Sequence, residues 1–289
     1  MGKLKAIWEL TRLEHGIMFA IAVFIGALLT GKIIPQKLVL AMMVAILIEA
    51  SSFSLNDYFD IEIDRRNKRF DRPLVRGDIS PNVAIAIYAI FIPIGIALSF
   101  FINLTCFIIA LAMAILSTFY DALLKKIKII GNFYIAFTMA IPFIFGAAAM
   151  KEGDIAMPYF IATIAFLAGA AREIMKDVMD FEGDAEKNVK SFPYYIGKSL
   201  SNKMASMLFV AASIIALIPF FFKIDPSYFH NYAYLSLVAA TDFLLFYISA
   251  KIFGSVDIET LKKCRKLSLF ALFIGLLAFL TGAMKKFFF

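Results

Sequence analysis

Apolar residues fill the chain in long blocks separated by short polar breaks. Nine blocks run over about 16–34, 38–56, 82–102, 105–122, 130–149, 156–176, 204–222, 231–250 and 267–284. Each approaches the roughly 20 residues that a helix needs to cross the hydrocarbon core of a bilayer. A segment in lipid satisfies its backbone hydrogen bonds only internally, so each block is expected to be an α-helix. Only Asn103 and Leu104 divide the third block from the fourth, which predicts a tight helical hairpin. Pro93, Pro142 and Pro219 fall inside blocks and read as kinks. Ahead of the first block, Trp8 and its neighbouring lysines predict a short interfacial helix. The expected fold class is an all-α integral membrane protein. Nine transmembrane helices would form a bundle with pseudo-repeated halves and a polar cap on the cytoplasmic side, in one domain over 1–289.

Composition sharpens this expectation. Of 289 residues, 62% are hydrophobic and 18% charged, against about 45–50% apolar in soluble domains. That excludes a water-soluble enzyme, a disordered chain and a disulfide scaffold. Cys106 and Cys264 lie in or beside apolar blocks and read as packing residues. No cleavable signal peptide is expected, because residues 1–15 are charged and lack an apolar core. Ala6 stands where a myristoylation signal needs Ser or Thr.

The formal net charge is +7, and its placement matters more than its size. Of 29 Lys and Arg, 23 fall on one side of the expected membrane: near the N-terminus, in 57–81, at 125–128, in 172–203 and in 251–266. Only Lys32, Lys37, Lys151, Lys223, Lys285 and Lys286 fall on the other. This is the positive-inside pattern, not a nucleic-acid surface. It predicts a multi-pass cell-membrane protein with a cytoplasmic N-terminus, cytoplasmic active-site loops and an external C-terminus.

Two acidic motifs interrupt the apolar pattern. The second block runs into Asn56-Asp57-x-x-Asp60-x-x-x-Asp64, and the sixth into Asp177-x-x-Asp180-x-x-x-Asp184. The aspartate offsets are identical, and a basic stretch with a proline follows each: Arg72-Pro73 in one case, Lys187, Lys190 and Pro193 in the other. The repetition suggests an internal duplication. Helical spacing puts Asn56, Asp60 and Asp64 on one face, and Asp177, Asp180 and Asp184 on another. If the faces meet, their carboxylates crowd one cavity mouth, which is costly unless cations fill it. All the donors are hard oxygens without His or Cys, which favours Mg²⁺ over zinc or iron. Arg72, Arg76, Lys125, Lys126, Arg172 and Lys176 are available on the same side. Carboxylates, Mg²⁺ and such cations together form a polyphosphate clamp. Solvated acids at a span end are the plainer reading of a single motif; the duplicated spacing argues against it.

These residues resemble the UbiA superfamily of intramembrane prenyltransferases. Asn56 to Asp64 resembles its first aspartate-rich motif, and Asp180-x-x-x-Asp184 its second. Arg72-Pro73, and Tyr120-Asp121 with Lys125 before Gly131-Asn132, resemble two smaller signatures. Arg12-Leu13-Glu14-His15 departs from the Arg-Pro and Asn expected in the first span. The string Arg172-Glu173-Ile174-Met175-Lys176-Asp177-x-x-Asp180-x-Glu182-Gly183-Asp184 resembles the superfamily's archaeal lipid branch.

The resemblance implies Mg²⁺-dependent transfer of a geranylgeranyl group from geranylgeranyl diphosphate to the hydroxyl of a lipid acceptor, geranylgeranylglyceryl phosphate. Membrane lipids are the expected surroundings, and no obligatory protein partner is expected. Asn56, Asp57, Asp60, Asp177, Asp180 and Asp184 are expected metal ligands. Asp60, Asp64 and Asp180 are the expected catalytic carboxylates, with Asp64 or Asp57 taking the acceptor's proton late. Asn56, Arg72, Lys125, Tyr120, Arg172 and Lys176 are expected to bind substrate, with Arg72, Lys125 and Lys176 on diphosphate oxygens. Glu49, seven residues before Asn56, stands open between acceptor binding and a protonated structural role; Asp242 reads as a structural partner. An aromatic or quinone precursor such as 4-hydroxybenzoate is the alternative acceptor. A cation transporter is the alternative of another class, although these acids sit at span ends rather than at a midplane site.

Overall fold

The computed structural model describes residues 2–66, 68–123, 125, 127–150, 153–186 and 189–288. Twelve helices form among them: α1 (Lys3–Thr11), α2 (Leu13–Leu28), α3 (Pro35–Arg66), α4 (Pro73–Arg76), α5 (Pro81–Ile102), α6 (Leu104–Ala122), α7 (Lys128–Met150), α8 (Ala156–Glu186), α9 (Phe192–Ile196), α10 (Lys198–Phe221), α11 (Tyr232–Ile252) and α12 (Ile258–Phe288). Eight of these helices are long and apolar enough to cross a membrane. The α1–α2 pair, bent by 50°, makes a ninth if counted as one span. The break is at Arg12, whose left-handed backbone (φ 44°) ends α1. Pro93, Pro142 and Pro219 are all accommodated inside helices.

The chain divides into two compact units. The first comprises Met1–Ala27, Lys32–Leu123 and Phe145–Glu152. Here α3 packs along α5 and α6 over a core that includes Val23, Val44, Ile102, Cys106, Phe145 and Met150. The predicted hairpin between α5 and α6 turns on Asn103. Its Oδ1 accepts from Cys106 N at 2.8 Å and so caps α6, while its Nδ2 donates to Ala148 O at 2.8 Å. A second apolar cluster joins α1 to α4 through Ala6, Leu10, Leu74 and Ile79, packed on Tyr58 and Ile61 of α3. Pro73 starts α4 at its first position and Gly77 closes it at φ 78°, a conformation that costs glycine nothing.

The second unit comprises Leu28–Gly31, Leu124–Ile144 and Gly153–Phe289. In it α8, α10, α11 and α12 pack around Ile174, Val178, Phe209, Ile248 and Leu261. Two buried tyrosines spend their hydroxyls on helix carbonyls: Tyr228 on Phe279 O and Tyr234 on Ala216 O, each at 2.6 Å. Between α10 and α11, Asp225 is fully buried. Burial raises its pKa, but hydrogen bonds from Lys286 (2.6 Å) and Ser227 outweigh it and hold the carboxyl below its ordinary range.

Three helices run past the apolar blocks that announced them. α3 has 32 residues and α8 has 31, so each extends about 47–48 Å, well beyond a hydrocarbon core of about 30 Å. Both acidic motifs therefore lie inside helices rather than in loops after them. α12 likewise absorbs Lys262, Lys263, Arg265 and Lys266, aided by the Glu259–Lys263 pair four residues apart at 2.7 Å. Hydropathy marks where lipid contact ends, but a helix stops only where a capping residue, Gly or Pro ends it, and charged residues by themselves do not.

Gly146 of α7 is where α2 comes closest. A Cβ there would stand 2.0 Å from Val23 O, a backbone atom with no freedom to move aside. Gly146→Ala is therefore expected to destabilise the protein by about 1–3 kcal/mol. Gly183→Ala, where a Cβ meets nothing within 4 Å, is expected to be neutral or to gain up to about 1 kcal/mol. Thermal unfolding of the two variants in detergent checks the contrast.

Candidate active site

The first acidic motif occupies the last turns of α3, where the negative end of the helix dipole and the carboxylates repel one another. Asp57 is 2% exposed. Its Oδ1 accepts from Arg12 Nη2 at 2.9 Å and from Arg72 Nη1 at 2.8 Å, and its Oδ2 lies 3.2 Å from the same Arg72 nitrogen. Arg72 Nε also lies 3.8 Å from Asp64 Oδ2, so one guanidinium bridges the first and third aspartates of the motif. Asn56 Nδ2 donates to Asp121 Oδ1 of α6 at 2.6 Å. Asp60 is half-buried and Asp64 buried. Glu49 and Phe53 continue the same face of α3 inward. The Arg12 guanidinium sits 4.1 Å from the centre of the Phe53 ring, and Glu49, half-buried, is within its electrostatic reach.

The loop that delivers Arg72 is tied down from both ends. Arg69 hydrogen-bonds Asp71 at 2.8 and 2.9 Å, holding that carboxyl below its usual range. Arg76 pairs with Asp78 and with Glu9 of α1, and donates to the carbonyls of Phe70 and Asp71 at 3.0 Å. Arg76 thus anchors the loop on α1.

The second motif occupies the end of α8. Asp177 is 2% exposed. Its Oδ2 accepts from Asn132 Nδ2 at 2.7 Å and from Phe192 N at 3.3 Å, and its Oδ1 lies 3.5 Å from Lys128 Nζ. Lys128 Nζ also donates to Asp184 Oδ2 at 2.5 Å. Again one cation bridges the first and third aspartates. Asp180 between them is exposed. One turn deeper, Glu173 accepts from Lys176 Nζ at 2.6 Å and Arg172 Nη1 at 3.1 Å. Tyr120 and Lys125 are half-buried. Lys126 and Lys187 lie outside the described residues. Among the described residues, no group of three or more His, Cys, Asp or Glu side chains is arranged to hold a metal ion. In each motif basic side chains occupy the space beside the first and third carboxylates.

Residues 17–277 match the model of the UbiA prenyltransferase family. The chain belongs to the UbiA prenyltransferase family. It is therefore a prenyltransferase built on a multi-pass membrane fold. It is 40% identical to the digeranylgeranylglyceryl phosphate synthase of Archaeoglobus fulgidus over 282 residues, 97% of this chain and 96% of that one. It is 37% identical to the enzyme of the same name from Methanocaldococcus jannaschii, over 99% of this chain and 98% of that one. A solved structure, "Structural and mechanistic insights into the biosynthesis of Digeranylgeranylglyceryl phosphate synthase in membranes", superimposes with a TM-score of 0.77 at 36% identity, covering 99% of this chain and 100% of that one. The fold is shared more widely: a UbiA homologue from Archaeoglobus fulgidus bound to GPP and Mg²⁺ gives a TM-score of 0.63 at 20% identity, over 95% and 99% of the two chains.

The geometry gives roles to residues that the motif pattern left without one. Lys128 and Asn132 are four apart on the first turns of α7 and both reach Asp177; that spacing was a readable signal. Arg12 stands in the first-span string without a role of its own, because its partner lies 45 residues away. Glu173 stood inside a quoted string without a role. Helical spacing puts it beside both Arg172 and Lys176, which share its single charge.

The Asp57 clamp carries a stability consequence. Asp57→Asn leaves two guanidinium groups facing a neutral amide in a mostly buried site, and is expected to cost about 3 kcal/mol. Asp180→Asn, at an exposed carboxylate, is expected to change stability by less than about 0.5 kcal/mol. Chemical denaturation followed by fluorescence distinguishes the two.

Proposed function

We propose that this prenyltransferase transfers the geranylgeranyl group of geranylgeranyl diphosphate to the free hydroxyl of geranylgeranylglyceryl phosphate. The observation that carries this reading is the near full-length 40% identity to the Archaeoglobus fulgidus digeranylgeranylglyceryl phosphate synthase. In the reaction, the bond from the allylic carbon to the diphosphate oxygen breaks and its electron pair leaves with diphosphate. The acceptor hydroxyl oxygen bonds that carbon and gives up its proton.

The donor set fits Mg²⁺, since both motifs offer oxygens and neither offers His or Cys. A UbiA homologue of the same fold holds Mg²⁺ beside GPP, which supports the same metal here. We assign Asn56 and Asp60 in the first motif, and Asp180 and Asp184 in the second, as metal ligands. When bound, Mg²⁺ neutralises diphosphate and makes it a better leaving group. Asp57 and Asp177 are expected ligands by resemblance. Their burial and pairing suit them better to positioning Arg72 and Lys128. These two cations, with Lys125, hold diphosphate oxygens and stabilise the charge that develops on them. Asp64, beside Arg72, takes the acceptor's proton. Tyr120, at the end of α6 next to Asp121, joins the substrate-binding set. The N-terminus is assigned to the cytoplasm and the C-terminus to the opposite side, on the distribution of Lys and Arg.

The test is purified protein with geranylgeranyl diphosphate, Mg²⁺ and a panel of acceptors. Product is expected with geranylgeranylglyceryl phosphate and not with 4-hydroxybenzoate, and EDTA should abolish turnover until Mg²⁺ is restored. Prenylation of the aromatic acid instead, or full turnover in EDTA, overturns the reading. Asp60→Asn and Asp180→Asn are each expected to lower kcat by roughly a hundredfold or more, with Asp180→Asn keeping the wild-type melting temperature.

A further inference from the structure

The basic residues around the two motifs are not equally committed. Arg12 and Arg72 both lie on Asp57, and Lys128 lies between Asp177 and Asp184. One turn before Asp177 the balance is different. Arg172 and Lys176 share a single carboxylate, Glu173, which is 6% exposed. Arg265 of α12, a helix packed against α8, is within electrostatic reach of both Arg172 and Glu173. Among the described residues Arg265 forms no ion pair, and Arg172 donates only through Nη1, its Nε being left without an acceptor. Three cations thus face one carboxylate, a surplus of two positive charges at the edge of a lipid-embedded unit. Side-chain exposures of 17% for Arg172 and 28% for Lys176 leave both within reach of a ligand.

We propose that Arg172, Lys176 and Arg265 form the subsite for the phosphate monoester of the acceptor lipid, with Glu173 as the carboxylate that pre-orients Arg172 and Lys176. The inference rests on the reading above of a phosphoglycerol acceptor. A phosphate monoester carries about −1.5 to −2 charge at neutral pH, which matches the surplus. A guanidinium fork suits its oxygens, and a lysine adds a point charge. Placement agrees as well. Glu173 and Asp177 are one turn apart on α8, a rise of about 5.4–6 Å. The acceptor's hydroxyl and phosphate share one three-carbon glycerol, so the phosphate must bind about that close to the acidic motif. Because Glu173 already occupies one charge, the site is tuned to a monoester anion rather than to a more highly charged diphosphate. Arg172, Lys176 and Arg265 are accordingly specificity determinants for the acceptor, distinct from the cations that serve the leaving group. This moves Lys176 from the diphosphate to the acceptor.

The experiment measures KM separately for each substrate in Arg172→Gln, Lys176→Gln and Arg265→Gln. Arg265 is exposed, so its variant keeps the measurement informative should either α8 variant fold poorly. The acceptor KM is expected to rise tenfold or more for the α8 variants and severalfold for Arg265→Gln, with the KM for geranylgeranyl diphosphate within twofold of wild type. Arg172→Lys should recover part of the loss. The variants should also lose the wild-type preference for geranylgeranylglyceryl phosphate over unphosphorylated geranylgeranylglycerol. A rise in the diphosphate KM instead, or an unchanged acceptor KM, overturns the subsite. A second measurement does not depend on turnover: glycerol phosphate should raise the melting temperature of wild type and not of Arg265→Gln. Absence of that shift in wild type also overturns the subsite. Wild type that shows the shift yet does not prenylate the phosphoglycerol lipid refutes the acceptor reading alone.

Discussion

Carboxylates placed at the negative end of a long helix are the constraint to which the polar regions of both units respond. The last turns of α3 and of α8 each carry three aspartates within eight residues. There they oppose one another and the helix dipole. Such an arrangement persists only if positive charge is delivered to it. In the first unit that charge arrives by two routes: the broken joint at Arg12, and the loop that ends in Arg72. In the second it arrives from the start of α7, through Lys128. The breaks, short helices and loop ties around each motif are the means by which those cations are aimed.

The two units solve the problem in the same way with different residues. In each, the first aspartate is buried and hydrogen-bonded from several directions, and one cation spans from it to the third: Arg72 from Asp57 to Asp64, Lys128 from Asp177 to Asp184. An amide completes each arrangement, Asn56 on Asp121 and Asn132 on Asp177. The middle aspartates, Asp60 and Asp180, stand outside this bridging. That division of labour follows from helical geometry. Positions i and i+7 lie nearly one above the other, so one side chain can touch both. It leaves the first aspartate of each motif fixing a cation in place.

The surplus of charge around Glu173 belongs to the same logic carried one turn further into α8. There the acid is outnumbered rather than matched. Within one helix, therefore, the balance shifts from an excess of carboxylates at the tip to an excess of cations just behind it.

Hydropathy and spacing alone carried the fold class, the hairpin at Asn103 and the duplicated acidic motif. Each is a local property: twenty apolar residues in lipid have one backbone solution, and identical offsets on a helix place side chains on one face wherever the helix lies. The true ends of α3, α8 and α12 escaped that reading, because charged residues that stop an apolar block do not stop a helix. Which aspartate is buried, and which cation meets it, lay further out of reach. Arg12 meets Asp57 across 45 residues, and Asn132 meets Asp177 across 45 more. Arg265 comes within electrostatic range of Glu173 only because α12 packs on α8. Pairings of that kind depend on how helices are set side by side, and with several cations and carboxylates at the helix ends of each unit only the tertiary structure selects among them.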